Sequence, residues 1–166
     1  MAPFSKIVLW VTIAVFLCLN AVQVFVFGVA TQQNWALDTR ALGYSAADAR
    51  DFLDAIGVSG RAAFFGYYRW LDTLFPPMLA VSLILLFRQI SGARSMLALG
   101  VFSLLPLGYL IADITENSFL KRLDSNLGFE AAVMAAQDAT KLKYLVLGIA
   151  FLVLIGFTLF EKLRKN

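Results

Sequence analysis

The chain has 166 residues, of which 60% are hydrophobic and 15% charged, with a formal net charge of +3 and a mean hydropathy of +0.77. An ordinary soluble domain is about a quarter charged, so the bilayer is the expected solvent, and the length suits one integral membrane domain, 1–166, without a second. Histidine is absent and Cys18 is the single cysteine, which excludes bis-histidine haem, the usual zinc sites, a histidine general base, an intrachain disulfide and a thiol relay.

The first apolar run, Ile7 to Val29, is long enough to cross about 30 Å of hydrocarbon at about 1.5 Å per residue. Lys6 precedes it and Gly28-Val29-Ala30 is a cleavage-like set of small residues. A cleavable signal core, however, is about 7 to 15 residues long. Ile7 to Phe27 carries no charge, so the run is expected to remain as an anchor.

The segment 30–64 is an outer loop. Ala49, Phe52, Leu53 and Ile56 recur at helical spacing opposite Asp48, Arg50, Asp51 and Asp54, which predicts a short amphipathic helix on the outer leaflet or across the bundle mouth. Ser45 is its expected N-cap, with Asp48 near the positive end of the dipole and Gly57 with Gly60 as the stop. Trp35, Phe64, Tyr67, Tyr68 and Trp70 are expected to form an interfacial aromatic belt.

The second, third and fourth runs are Phe65 to Phe87, Met96 to Thr115 and Leu142 to Phe160. Pro76 and Pro77 fall in the second and Pro106 in the third, where each removes a backbone donor and bends the helix. Such bends are expected to face protein, where the freed carbonyls find partners. In the second outer loop, 116–141, the third helix extends to about Leu123. A turn then follows at Ser125-Asn126 and Gly128, and alanine-rich sequence from about Phe129 continues into the fourth span as one rod. The fold class is therefore all-α: a four-helix transmembrane bundle with a short amphipathic extracytoplasmic helix. No clean GxxxG motif assigns an oligomeric state.

Four spans put both termini on one side. Lys6, Arg88, Arg94, Lys162, Arg164 and Lys165 collect at that side against Glu161, while the other side holds eight basic residues and ten acids. The positive-inside rule places the termini in the cytoplasm. The positive charge is thus topological, and no nucleic-acid partner is implied.

Polar residues recur at one level. Counting helical rises from the cytoplasmic end, Asn20 and Gln23 lie about 21 and 26 Å up the first span, and Asp72 and Arg69 about 24 and 29 Å up the second. Asp113 and Glu116 lie about 29 and 33 Å up the third, and Lys143 and Lys141 about 27 and 30 Å up the fourth. Asn117 shares the face of Asp113 and Glu116, and Tyr109 sits one turn below Asp113. The inner half is Leu, Ile, Val, Phe and Ala, and reads as sealed. Charges in a span demand partners, so Asp72 and Asp113 are expected to face each other or share Arg69, with a lysine neutralising another acid.

Four uses fit such a layer. It could be a polar clamp closing the bundle, or a pocket for a lipid-like or small amphipathic ligand or a partner's membrane segment. It could also be a proton or ion path, or an intramembrane hydrolase or transferase built on an acid pair or an Asp72, Asp113, Glu116 and Asn117 cation site. No HExxH or GxSxG motif supports catalysis, and no inverted repeat or mid-bilayer charge supports transport. A non-catalytic binding or accessory protein is expected, with an intramembrane hydrolase or transferase and a purely structural subunit of a membrane complex as the alternatives. Its partners are membrane lipid and, as a further option, other membrane proteins or a second copy; no cofactor is called for.

Gly60-Arg61-Ala62-Ala63-Phe64, Leu71-Asp72-Thr73-Leu74-Phe75-Pro76, and Leu105-Pro106 with Ala112-Asp113-Ile114-Thr115-Glu116-Asn117 resemble the pattern of an uncharacterised bacterial family of small four-span membrane proteins, over roughly Ser45 to Leu120. The resemblance implies a bacterial inner membrane and a motif role for these polar residues, and no activity.

Overall fold

The computed structural model describes residues 3–31, 35–90, 96–125 and 128–165. Arg94 and Asn126, used above, lie outside them, as do the side chains of Glu161, Arg164 and Lys165. Five long helices are present among the described residues: α1 (Pro3–Val22), α2 (Ala46–Ala63), α3 (Arg69–Ile90), α4 (Met96–Leu120) and α5 (Phe129–Lys165). A π-helical segment, Gln23–Gly28, continues α1, a second, Phe64–Tyr68, leads into α3, and a 3-10 turn, Lys121–Ser125, ends α4.

Among the described residues four helical stretches are long and apolar enough to cross a membrane: Pro3–Gly28, Ala46–Ile90, Leu99–Ser125 and Phe129–Phe160. The protein is a multi-pass membrane protein whose four spans pack as a bundle. Large apolar side chains such as Trp10, Phe25, Leu104, Ile111 and Leu152 stand exposed along these helices, as lipid-facing residues do when helix faces need no shielding from hydrocarbon. The 37 residues of α5 form one rod, about 56 Å long.

α2 lies across one end of the bundle. Ser45 and Asp48 close a capping box, with Ser45 Oγ accepting from the Asp48 N–H at 3.1 Å and Asp48 Oδ2 accepting from the Ser45 N–H at 2.7 Å. The apolar face of Ala49, Phe52, Leu53 and Ile56 is buried beneath it. Gly57 breaks the helix at φ 60°, ψ −167°, a region that glycine alone enters without strain. Arg61 closes the break by donating to the Leu53 carbonyl (2.9 Å) and to Asp54 (2.6 Å). Gly60 does not stop the helix as expected: the chain re-enters helix after Gly57, and Gly60 sits where a Cβ would come within 2.5 Å of Ile56 Cβ. Gly66, at φ −95°, ψ −116°, makes the second break before α3.

The packed core lies under α2. Phe27, Phe52, Phe64 and Tyr68 meet edge-on or stacked, with ring centroids 5.0 to 5.9 Å apart. The expected aromatic belt is corrected accordingly. Trp35, Tyr67 and Trp70 are exposed, whereas Phe64 and Tyr68 are wholly buried. An i,i+4 pair shares one helical face, and here that face is turned to the core. Pro76 and Pro106 are buried within α3 and α4, while Pro77 is exposed.

Candidate functional site

At the end of the bundle covered by α2, charged side chains from three spans and one loop are buried together. Arg69, on the first turn of α3, directs Nη1 to Asp72 Oδ2 (2.9 Å), to Asp38 Oδ2 (3.3 Å) and to Asn117 Oδ1. Its guanidinium carbon lies 4.6 Å from the centroid of the Phe64 ring, a cation–π contact, while Nε and Nη2 have no hydrogen-bond partner among the described residues. Asn117 returns Nδ2 to Asp113 Oδ2 at 3.0 Å, which orients Asp113 one turn down α4.

Lys143 of α5 completes the other half. Its ammonium pairs with Asp113 Oδ1 at 3.1 Å and with Glu116, and donates to the Asp38 backbone carbonyl at 3.2 Å. Three acceptors for three N–H groups leave the lysine satisfied. Glu116 receives a second hydrogen bond from Thr140. Asp72 and Asp113 therefore do not share Arg69 directly: Arg69 takes Asp72, Lys143 takes Asp113, and Asn117 bridges the two pairs.

The fourth acid comes from the loop. A short 3-10 turn, Leu37–Thr39, drops Asp38 into the bundle, where it is 1% exposed. Gln23 holds that turn in place: its Oε1 accepts from the Ala36 N–H (3.3 Å) and Thr39 Oγ1 (3.4 Å), and its Nε2 donates to the Tyr68 hydroxyl (2.9 Å). Tyr68 in turn donates to Asp38 Oδ1 at 3.2 Å. Gln23 opens the π-helical segment that ends α1, a wide-turn geometry that recurs where helices carry functional side chains.

Gln23, Arg69, Asp72, Tyr109, Asp113, Glu116, Asn117 and Lys143 thus converge at one level and are buried. Lys141 does not join them. It is exposed on α5 and lies over the loop at Gly43, because two helical residues put it about 200° around the axis from Lys143. Asn20 is also exposed, donates to the Phe16 carbonyl at 2.8 Å and borders the cavity described below. Asp38, Tyr68, Thr140 and Tyr144 were not foreseen in this cluster. A lone acid in a polar loop reads as solvated, and only the apolar Ala36-Leu37 flank, both buried, hinted that this loop turns inward. Tyr44, also of the loop, is held as the neutral phenol: burial, then the Glu116 and Asp38 carboxylates, raise its pKa above the ordinary tyrosine value.

Below the cluster runs a cavity of about 600 Å³. Gln23, Asp38, Tyr68, Asp72, Tyr109, Asp113, Lys143 and Tyr144 form its polar end. Leu9, Ile13 and Phe16 of α1, Phe75, Leu79 and Leu86 of α3, and Leu147 and Phe151 of α5 supply most of the remaining wall, with Thr12 and Ser82 among them. The inner half is therefore not sealed, as its composition suggested. Composition reports polarity, whereas the gap arises from packing: α1 lies on α3, α3 on α4 and α4 on α5, and the cavity separates the two ends of this arc. Thr12 and Ser82, hydrogen-bonded at 2.9 Å, pin α1 to α3 at the cavity wall.

No family model, no curated protein and no solved structure matches this chain. The family resemblance rests on its motif residues alone, and the function must be argued from the site. Among the described residues no group of three or more acid, cysteine or histidine side chains is placed to hold a metal ion, since the carboxylates turn to Arg69, Lys143 and the bridging amide.

Proposed function

We propose that this protein binds a lipid-like amphiphile, its polar end against the Asp72, Asp113 and Tyr109 cluster and its tail in the groove between α1 and α5. The carrying observation is the cavity itself. A closed salt-bridge clamp has no reason to leave about 600 Å³ beneath it, a volume inside the range of small-molecule sites, about 300–1,000 Å³. The cavity's length is that of a lipid tail: from Gln23 to Leu9, both on its wall, is about 21 Å along α1. Its carboxylates and phenols gather at one end, and the remainder is mostly hydrocarbon interrupted by the paired Thr12 and Ser82 hydroxyls, which is the polarity of an amphiphile. Phe16 and Phe151, on opposite sides of the gap, are each partly exposed, giving a tail a lateral route from the bilayer.

The test is native mass spectrometry of protein extracted gently from its membrane, alongside Leu79→Trp, which fills the groove. A bound amphiphile of defined mass on the wild type, absent from a folded Leu79→Trp variant, is expected. A wild type that carries and accepts no amphiphile overturns the reading.

We place the α2 end outside the cytoplasm on the charge asymmetry of the loops. Exposed Ser45 and Lys162 mark the two ends. In a Cys18→Ser background, Ser45→Cys should react with an impermeant maleimide on intact cells and Lys162→Cys should not; the reverse pattern overturns the orientation.

A further inference from the structure

The headgroup can be given a charge. Four carboxylates, Asp38, Asp72, Asp113 and Glu116, share the buried cluster with two cations, Arg69 and Lys143. With all ionised, two negative charges lack a protein counter-ion, and buried charge without a partner is strongly unfavourable. We propose, on the basis of the amphiphile reading above, that the ligand's polar end is a cationic amine, an ammonium group seated between Asp72 and Tyr109 at the top of the groove.

Two independent features of the cavity wall support this. Asp72, 7% exposed, uses Oδ2 for Arg69, while no described residue donates to Oδ1. The Tyr109 hydroxyl, on a side chain 3% exposed, has no hydrogen-bond partner among the described residues. Both side chains line the cavity, so a carboxylate oxygen and a phenol hydroxyl stand at its polar end with no hydrogen-bond partner among the described residues. Among the described residues the single cation on that wall, Lys143, has its three N–H groups committed to Asp113, Glu116 and the Asp38 carbonyl and has none left for an anionic head. Tyr68, Tyr109 and Tyr144 also line this end, supplying the aromatic faces that alkylammonium groups favour.

The test uses three probes with one tail: dodecylamine, dodecanol and dodecanoate, each titrated into the full-length protein in a neutral detergent and read by native mass spectrometry and by the shift in Tm. Dodecylamine is expected to bind at least about tenfold more tightly than either other probe, the worth of one charge-assisted hydrogen bond. Asp72→Asn should abolish that preference without abolishing binding. Tyr109→Leu, which changes no charge, should weaken it and keeps the test open if Asp72→Asn does not fold.

Equal binding of the three probes, as expected if two of the acids hold protons instead, overturns the ammonium assignment and leaves the groove standing. Preference for dodecanoate overturns it in favour of Lys143 as headgroup ligand. Unchanged selectivity in folded Asp72→Asn and Tyr109→Leu also overturns it. Failure of all three probes to bind, with Leu79→Trp indistinguishable from wild type, removes the groove as well.

Discussion

The Lys143 ammonium donates to the backbone carbonyl of Asp38 at 3.2 Å, across 105 residues of chain. A side chain in the last span thus holds the first loop inside the bundle, and the same ammonium neutralises Asp113 and Glu116. Position and charge are coupled: the lysine shares with Gln23, Tyr68 and Arg69 the holding of the loop that supplies the fourth acid.

Lys143→Met is expected to be among the most damaging single substitutions. It takes the cation from two buried carboxylates, which keep only the neutral donors Asn117 and Thr140, and breaking one partner of a buried ion pair costs about 3–5 kcal/mol. The expected outcome is a loss of that order in denaturant unfolding of the solubilised protein, with new protease sensitivity around Asp38. A change below about 1 kcal/mol would show that the acids are already neutral without the lysine.

Asn117 carries the coupling between the two ion-pair halves, accepting from Arg69 and donating to Asp113. Asp72→Asn and Asp113→Asn should therefore be non-additive in a double-mutant cycle, by about 0.5–3 kcal/mol. The coupling should shrink in an Asn117→Leu background, where the bridge is gone. Strict additivity in both backgrounds would separate the halves.

Gln23→Leu strands the Ala36 N–H and removes one of two partners from each of the Thr39 and Tyr68 hydroxyls, which keep the Ala36 carbonyl and Asp38. Stranding a buried donor or acceptor costs about 1–3 kcal/mol. The local effect is expected to exceed the global one: hydrogen exchange at Ala36 to Arg40 should accelerate, while α4 and α5 keep their protection. Uniform acceleration across all helices would deny Gln23 its role as the loop's anchor.

Gly57→Ala isolates a backbone effect. Nothing lies within 4 Å of the Cβ it would add, yet φ 60° with ψ −167° is a conformation that other residues adopt at a penalty of about 1–3 kcal/mol. A destabilisation in that range, measured as a fall in Tm, is expected. Gly148→Ala, at a helical glycine equally free of neighbours, should be neutral or stabilising.

Much of the architecture is visible in the chain itself. Long uncharged runs must lie in lipid because each buried peptide group needs an internal partner there, so the helices are legible from hydropathy alone. The N-cap at Ser45 and an interruption at Gly57 are local chemistry, decided within a few residues, and were equally legible, though the return to helix after Gly57 was not. So was the common level of Arg69, Asp72, Asp113, Glu116 and Lys143, since helical rise converts sequence separation directly into height.

Height is not contact, and there the sequence alone ran out. Which acid pairs with which base depends on the rotation and neighbour order of the helices. These are decided by side-chain packing between elements far apart in the chain, as when Phe64 and Tyr68 turn inward onto Phe27. The inward fold of Asp38 and the cavity between α1 and α5 were likewise settled only in three dimensions. Neither leaves a periodic trace: a loop's path follows from the partners it finds, here Gln23 and Lys143, and a void is a failure of surfaces to meet.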